Sequence, residues 1–295
     1  MKKDFRGAGV ALITPFNTDL TIDFDGLGKV IDNQLENKID FLVILGTTAE
    51  SATLSKTEKQ QIVDFSCKKV NGRVPIVVGI GSNDTQSVIS CMQEIDLSGV
   101  DALLSVVPYY SKPTQEGIYQ HYIAIANASP LPLILYNVPG RTGVNMSAET
   151  TLRLAHSTDK IIGTKEASGN FSEITKILRD KPAGFIVLSG DDSLNLPLIA
   201  IGAEGVISVV ANVVPQLIAD LTHSAMIGNL RSAAQIHLRL QKISEALFTD
   251  GNPAGAKGAL YSAGIIKNVL RLPLVPVSDP VYAILAKEMK LLLPE

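Results

Sequence analysis

The stretch IIGTKEASGN (residues 161–170) puts Lys165 at the end of an apolar run that otherwise patterns as a buried β-strand. Taking an ammonium out of water is costly unless it is paired or gives up its proton. Two readings stand on the decapeptide alone. In one, Lys165 reaches the wet end of the strand or pairs with Glu166. In the other, it is a desolvated amine of lowered pKa, the nucleophile of Schiff-base chemistry. The remaining side chains that could serve such chemistry are mostly hydroxyls. Thr14, Thr47, Thr48, Tyr109, Tyr110 and Tyr136 all sit at or just beyond the ends of apolar runs, with Asn137, Asp191, Asp192 and Asn212 in equivalent places and Arg141 in the loop after Tyr136. Each also has an ordinary structural use. Tyr136 can be core packing, Thr47 and Thr48 helix caps, Arg141 a surface cation, and the tyrosine pair a subunit contact.

Several other chemistries find no support. His121, His156, His223 and His237 are scattered without zinc spacing. The adjacent Asp191 and Asp192 must point different ways, which suits a loop role better than a metal site. No G-x-S-x-G elbow is present. GNPAGAKG (251–258) fails the Walker pattern and reads as a turn or helix cap.

The elements that would position these residues are visible as a rhythm. Eight runs, GVALITPF, FLVILGTT, VPIVVGIG, DALLSVVPYY, LPLILYNVPG, IIGTKEAS, FIVLSGDD and GVISVVANV, are continuous in apolar residues rather than alternating. That is the pattern of parallel strands buried on both faces. Helical stretches lie between them. TLSKTEKQQIVDFSCKKV carries a capping box from Ser55 to Glu58, NDTQSVISCMQEIDLSG runs from a cap-like Asn or Asp to Gly99, and TQEGIYQHYIAIANAS and SAETTLRLAHS behave similarly. Eight β/α repeats predict an α/β fold, a (β/α)8 TIM barrel, over residues 1–225. GIGSND completes no dinucleotide fingerprint, which disfavours an open doubly wound sheet. Residues 226–295 predict a C-terminal helical extension, with periodicity through Ala234, His237, Leu240, Ile243 and Leu247. In such a barrel the hydroxyls, Lys165 and Arg141 gather at one end, the C-terminal ends of the strands, where barrel enzymes do their chemistry.

Bulk properties narrow the classes further. The chain has 295 residues, 46% of them hydrophobic, and a formal net charge of -3. With no run of like charges, nucleic acid and anionic membrane surfaces are not expected partners. MKKDFRGAGV has no apolar segment behind its lysines, unlike a signal peptide, and no window of eighteen apolar residues suggests a membrane span. Cys67 and Cys91 are too few for a disulfide framework. A cytoplasmic protein is the expectation.

GTTAES (46–51), YNVPGRTG (136–143) and GTKEASGN (163–170), in this order, make the sequence similar to the dihydrodipicolinate synthase family. The likeness spans essentially the whole chain, and YNVPGRTG is its most specific part. The lysine strand and the GTT-x-E motif are shared with N-acetylneuraminate lyase and keto-deoxy sugar acid aldolases, so another pyruvate-dependent aldolase is the alternative, and a non-catalytic ligand-binding barrel a more distant one. The resemblance implies a Schiff base between Lys165 and pyruvate, needing no metal or other cofactor, and L-aspartate 4-semialdehyde as the second substrate. It implies Tyr136, Thr47 and Tyr110 as a proton relay, with Tyr110 delivered across a subunit contact in a homotetramer built as a dimer of dimers. Thr48 would hold the pyruvate carboxylate and Arg141 that of the semialdehyde, with the backbone carbonyl of Ile207 facing the site. Two departures stand out. Ala49 replaces the usual glycine of the threonine motif, which is tolerable unless φ > 0 is needed there. The family's lysine-effector pocket would map to Ser51, Ala52, Lys56, Lys59, Asn83, Ser87 and Tyr109. Lys56 replaces a histidine and Ser87 a glutamate, so feedback inhibition by lysine is expected to be weak or absent.

Overall fold

The computed structural model describes residues 3–293. Eight parallel strands form a closed barrel in sequence order: β1 Gly7–Ala11, β2 Phe41–Ile44, β3 Ile76–Gly79, β4 Ala102–Val106, β5 Leu133–Asn137, β6 Ile161–Glu166, β7 Ile186–Ser189 and β8 Gly205–Ser208. Closure is made by β1 against β8, with Gly7 opposite Gly205 and Val10 opposite Ser208. The strands are mostly apolar because their outer faces meet helices and their inner faces meet each other, and every residue of β1, β2, β5 and β8 is buried.

The helices are α1 Phe24–Glu36, α2 Lys56–Val70, α3 Thr85–Glu94, α4 Gln115–Ala128, α5 Pro139–Thr142, α6 Ala148–Ser157, α7 Phe171–Asp180, α8 Asn195–Ala200, α9 Pro215–Met226, α10 Leu230–Thr249, α11 Ala254–Ser262 and α12 Asp279–Leu292. Their starts follow side-chain chemistry. The Ser55–Glu58 capping box forms in full: Glu58 N–H donates to Ser55 Oγ at 3.2 Å, and Ser55 N–H donates to Glu58 Oε2 at 2.9 Å. Asp84, Thr114 and Ser147 cap α3, α4 and α6 one-way, each side chain accepting from the N–H three residues on. The α3 helix stops at Glu94, short of Gly99, because Ile95 turns extended and goes into the core.

The strands end earlier than the apolar runs do. Leu45, Val107, Val209 and Val210 continue the apolar character past β2, β4 and β8 yet lie outside the strands, Val210 in a short 3-10 turn. They are buried because the chain folds over them. Beyond the barrel, α10 packs on α9 and α8, and α11 and α12 pack on each other and on α10. The buried stripe of α10 is Ala233, Leu240, Ile243, Ala246 and Leu247, whereas Ala234 and His237 are only partly covered. Residues of this extension belong to the same apolar core as the barrel. Among the described residues no helix is long and apolar enough to cross a membrane.

Candidate active site

Strand alternation decides which side chains face the barrel interior. Tyr136 on β5 and Lys165 on β6 are direct register partners, and Lys165 Nζ lies 4.3 Å from the centre of the Tyr136 ring. Their successors, Asn137 and Glu166, point outward to the helices. Asn137 Nδ2 donates to Asn145 Oδ1 at 2.9 Å and to Glu166, whose Oε2 also accepts from Ser168 Oγ at 3.0 Å. Glu166 is therefore no counter-ion for Lys165. Burial pushes the Glu166 carboxyl up to about 8, against the opposing hydrogen bonds from Ser168 and Asn137.

With no paired carboxylate on its own strand, Lys165 is 5% exposed, and burial pulls its amine down to about 8. Asp192 opposes that fall and the positive Arg141 adds to it. Gly190 on the next loop makes room for the lysine. A Cβ built there would stand 2.8 Å from Lys165 Cε and 3.0 Å from Ala167 Cβ. Tyr136 is buried too, and burial raises its phenol to about 12, slightly countered by Arg141.

These side chains open into a cavity of about 1210 Å3 at the C-terminal ends of the strands, lined also by Thr47, Thr48, Tyr109, Arg141, Asp191 and Asp192. The YNVPGRTG segment shapes the Arg141 wall. Pro139 starts the four-residue α5 and Gly143, at φ 72°, ends it in the left-handed conformation that a C-terminal cap requires. Thr142 O accepts from Tyr110 N–H at 3.3 Å, tying the tyrosine loop to the arginine loop.

Thr48 is buried and Thr47 exposed on a short 3-10 turn, residues Thr47–Ala49. The left-handed residue is Glu50, at φ 54°, one position beyond Ala49, so alanine fits where a glycine was expected. No hydrogen bond joins Thr47 to Tyr136 or Tyr110 among the described residues. Tyr110, with φ 70°, is 87% exposed and is not part of the cavity wall of its own chain. Ile207 is buried within β8 and its neighbour Val209, not Ile207 itself, lines the cavity.

Other candidates have structural employment. Asn212 accepts from Ile13 N–H at 3.0 Å and donates to Ala11 O at 2.8 Å, pinning β1 to the loop after β8. Thr14 is buried outside the cavity wall. Asp191 accepts from Ser193 N–H at 3.0 Å. Asp192 accepts from Val209 N–H at 2.8 Å, Val210 N–H at 3.1 Å, Asn195 Nδ2 at 3.0 Å and Ser208 Oγ. The two aspartates do point apart, as loop-builders. Among the described residues no three His, Cys, Asp or Glu side chains are grouped to hold a metal ion.

Of the effector-pocket positions, Ser51, Ala52, Lys59, Ser87 and Tyr109 line the same cavity. Lys56 does not. Its ammonium is 2.6 Å from Glu94 on the outer surface, and Asn83 is exposed away from the wall.

Sequence reasoning missed the underside of the threonine turn. Asn252 Nδ2 donates to Thr48 Oγ1 at 2.9 Å, and Lys257, fully buried, is ion-paired with the equally buried Glu50. GNPAGAKG, read as a turn or cap, thus supplies two polar groups to the site's foundation. Only the burial of Lys257 and Glu50 reveals the pair, and neither residue carries a local signal for it.

The geometry has counterparts. The family model of the dihydrodipicolinate synthetase family matches residues 4–291. The chain is 52% identical over 279 residues to a 4-hydroxy-tetrahydrodipicolinate synthase of Parabacteroides distasonis, covering 95% of this chain and 94% of that protein. It is 54% identical over 271 residues to the synthase of the same name from Phocaeicola vulgatus, covering 92% and 91%. The crystal structure of the chloride-inhibited dihydrodipicolinate synthase from Acinetobacter baumannii, complexed with pyruvate, superposes with a TM-score of 0.94 at 38% identity, covering 97% of this chain and 98% of that one.

Proposed function

This chain belongs to the dihydrodipicolinate synthetase family, and from that premise we propose how its residues carry the reaction of a 4-hydroxy-tetrahydrodipicolinate synthase, the condensation of pyruvate with L-aspartate 4-semialdehyde in diaminopimelate and lysine biosynthesis. Neutral Lys165 attacks the pyruvate ketone carbon, and loss of water leaves an iminium. The iminium is the electron sink that a separate cofactor would otherwise provide. Tyr136 gives its proton to the departing hydroxide, and the resulting phenolate takes a methyl proton, giving an enamine whose carbon attacks the aldehyde. The new alkoxide takes a proton, and Tyr136, a phenol held protonated by burial, is the group placed to give it. The amine of the bound semialdehyde then attacks the iminium carbon and displaces Lys165, closing the ring.

Thr48 binds the pyruvate carboxylate. Arg141 receives the semialdehyde carboxylate, since a guanidinium offers two parallel donors to it. Tyr110 serves the site of a second copy in a homotetramer, with Thr47 bridging it to Tyr136. What supports that assignment is an aromatic ring 87% exposed on a loop whose backbone is bonded to the arginine loop. The Ile207 carbonyl completes the rim. Cytoplasmic residence follows from the pathway.

The observation that carries the proposal is Lys165 itself, a buried amine of lowered pKa against the Tyr136 ring in a cavity that also holds Thr48 and Arg141. Incubation with pyruvate and borohydride, read by mass spectrometry, tests it. One reduced adduct on Lys165, absent from Lys165→Ala, is expected. A folded wild-type protein that gives no adduct overturns it.

A further inference from the structure

The turn that carries Thr47 and Thr48 is bracketed by two non-glycine residues in the left-handed region, Leu45 at φ 55° and Glu50 at φ 54°. Such residues persist where the surroundings over-determine them. Within the turn, Glu50 N–H donates to Thr47 O at 3.1 Å and Thr53 N–H to Glu50 O at 2.9 Å. Its side-chain ties to the rest of the molecule come from the far end of the chain and land on residues 48–53. Asn252 Nδ2 donates to Thr48 Oγ1, Lys257 Nζ pairs with Glu50 Oε1, Arg271 N–H donates to Glu50 Oε2 at 3.0 Å, and Arg271 Nη1 donates to Thr53 O at 3.0 Å. Lys257 and Glu50 have no exposed side-chain surface, and Lys257 also donates to Val269 O at 2.9 Å, so the pair has no freedom to reorganise.

We infer that the segment from Asn252 to Arg271 is a positioning element for the pyruvate-binding Thr48, with Lys257 as its anchor. The inference rests on the role given to Thr48 above. Its logic is directional. Because Thr48 Oγ1 accepts from Asn252, its own hydrogen is left to donate elsewhere, and the open direction is the cavity. Lys257 touches no substrate. It holds Glu50 in its left-handed conformation, which holds the turn two residues earlier.

Hydrogen–deuterium exchange of residues 46–54 and the pyruvate KM of the full-length enzyme test this together. Lys257→Met is compared with Glu50→Gln/Lys257→Met, which removes the orphaned carboxylate, and with Lys181→Met. Lys181 pairs with Glu204 and does not line the cavity, so its variant controls for lost stability alone. In both Lys257 variants, exchange in the turn should quicken and the pyruvate KM rise about tenfold, with the semialdehyde KM changing less than about twofold. Lys181→Met should move neither. Unchanged turn exchange and pyruvate KM in folded Lys257 variants overturn the inference, as does failure of the double variant to fold, which would make the pair a general folding element. Failure of the functional assignment is separately visible as a missing wild-type borohydride adduct, because turn exchange is read without turnover.

Discussion

Lys165 and Tyr136 are cross-strand register partners, with the lysine nitrogen over the tyrosine ring, 4.3 Å from its centre. The strand register therefore sets the nucleophile and the proton donor side by side. If the phenol moves protons and is not the lysine's packing surface alone, Tyr136→Phe keeps the ring and loses only the transfer. Borohydride trapping of pyruvate should survive in that variant, while steady-state turnover falls about 10²–10⁴-fold.

The lowered pKa of Lys165 has two readouts of definite sign. Only the neutral amine attacks, so the rate of pyruvate trapping should climb about tenfold per pH unit and level off above about pH 8. In the unfolded chain the lysine titrates near the ordinary lysine value of 10.5. The native state thus binds this proton less well, and the stability lost to Lys165 below pH 8 is regained as pH rises from 8 to 10.5. Lys165→Met should consequently be more stable than wild type at neutral pH, by roughly 3 kcal/mol at most. A melting comparison at pH 7 and pH 10 checks this, with the gap narrowing at the higher pH.

Arg141 separates the two substrates. Arg141→Ala should leave the pyruvate adduct intact and lower kcat/KM for the semialdehyde by about 10–100-fold, the range expected for losing hydrogen bonds to a charged group. Steady-state kinetics with each substrate varied in turn distinguishes this from a general loss of activity.

Gly190 is demanded by space. Its added Cβ would press on Lys165 Cε and on Ala167 Cβ. Gly190→Ala should then displace the amine and lower kcat/KM for pyruvate about 10²-fold, as misplacements of roughly 1 Å do. The trapping rate, measured beside a near-normal thermal midpoint, reports the displacement.

Free L-lysine should inhibit weakly. The cavity presents the cation Lys59 and the neutral Ser87 at the expected effector positions, so a ligand ammonium meets no carboxylate from either. Lys56 contributes nothing, being engaged with Glu94 outside. A titration of turnover against lysine should be flat through the sub-millimolar range.

The barrel was legible because parallel strands covered on both sides leave long apolar runs, and eight of them alternated with capped helices. Their ends are less legible, because covered loops are as apolar as the strands they follow. After β8, Val209 and Val210 are buried with their N–H groups donating to Asp192. Within the site, Lys165, Tyr136, Thr48 and Arg141 were legible as chemistry-bearing residues at run ends, and one cavity receives all four. Asn252, Glu50 and Lys257 were not. A buried ion pair is defined by its partner, and here the partners are 207 residues apart. Lys257 in isolation looks like any solvated lysine.

Barrel closure has a consequence for the order in which the protein can be made. Asn212, which stitches Ile13 to the loop after β8, is 199 residues downstream of it. While a ribosome is still translating the middle of the chain, β1 can pair with β2 but its other edge stays bare, a row of unpaired amides and carbonyls open to neighbouring nascent chains. Even after Lys165 has been synthesised, the last tie beneath the threonine turn waits for Arg271. The newborn polypeptide therefore carries a bare β1 edge until β8 has been made, and polysome-bound fragments ending before β8 should depend on chaperones that shield strand edges.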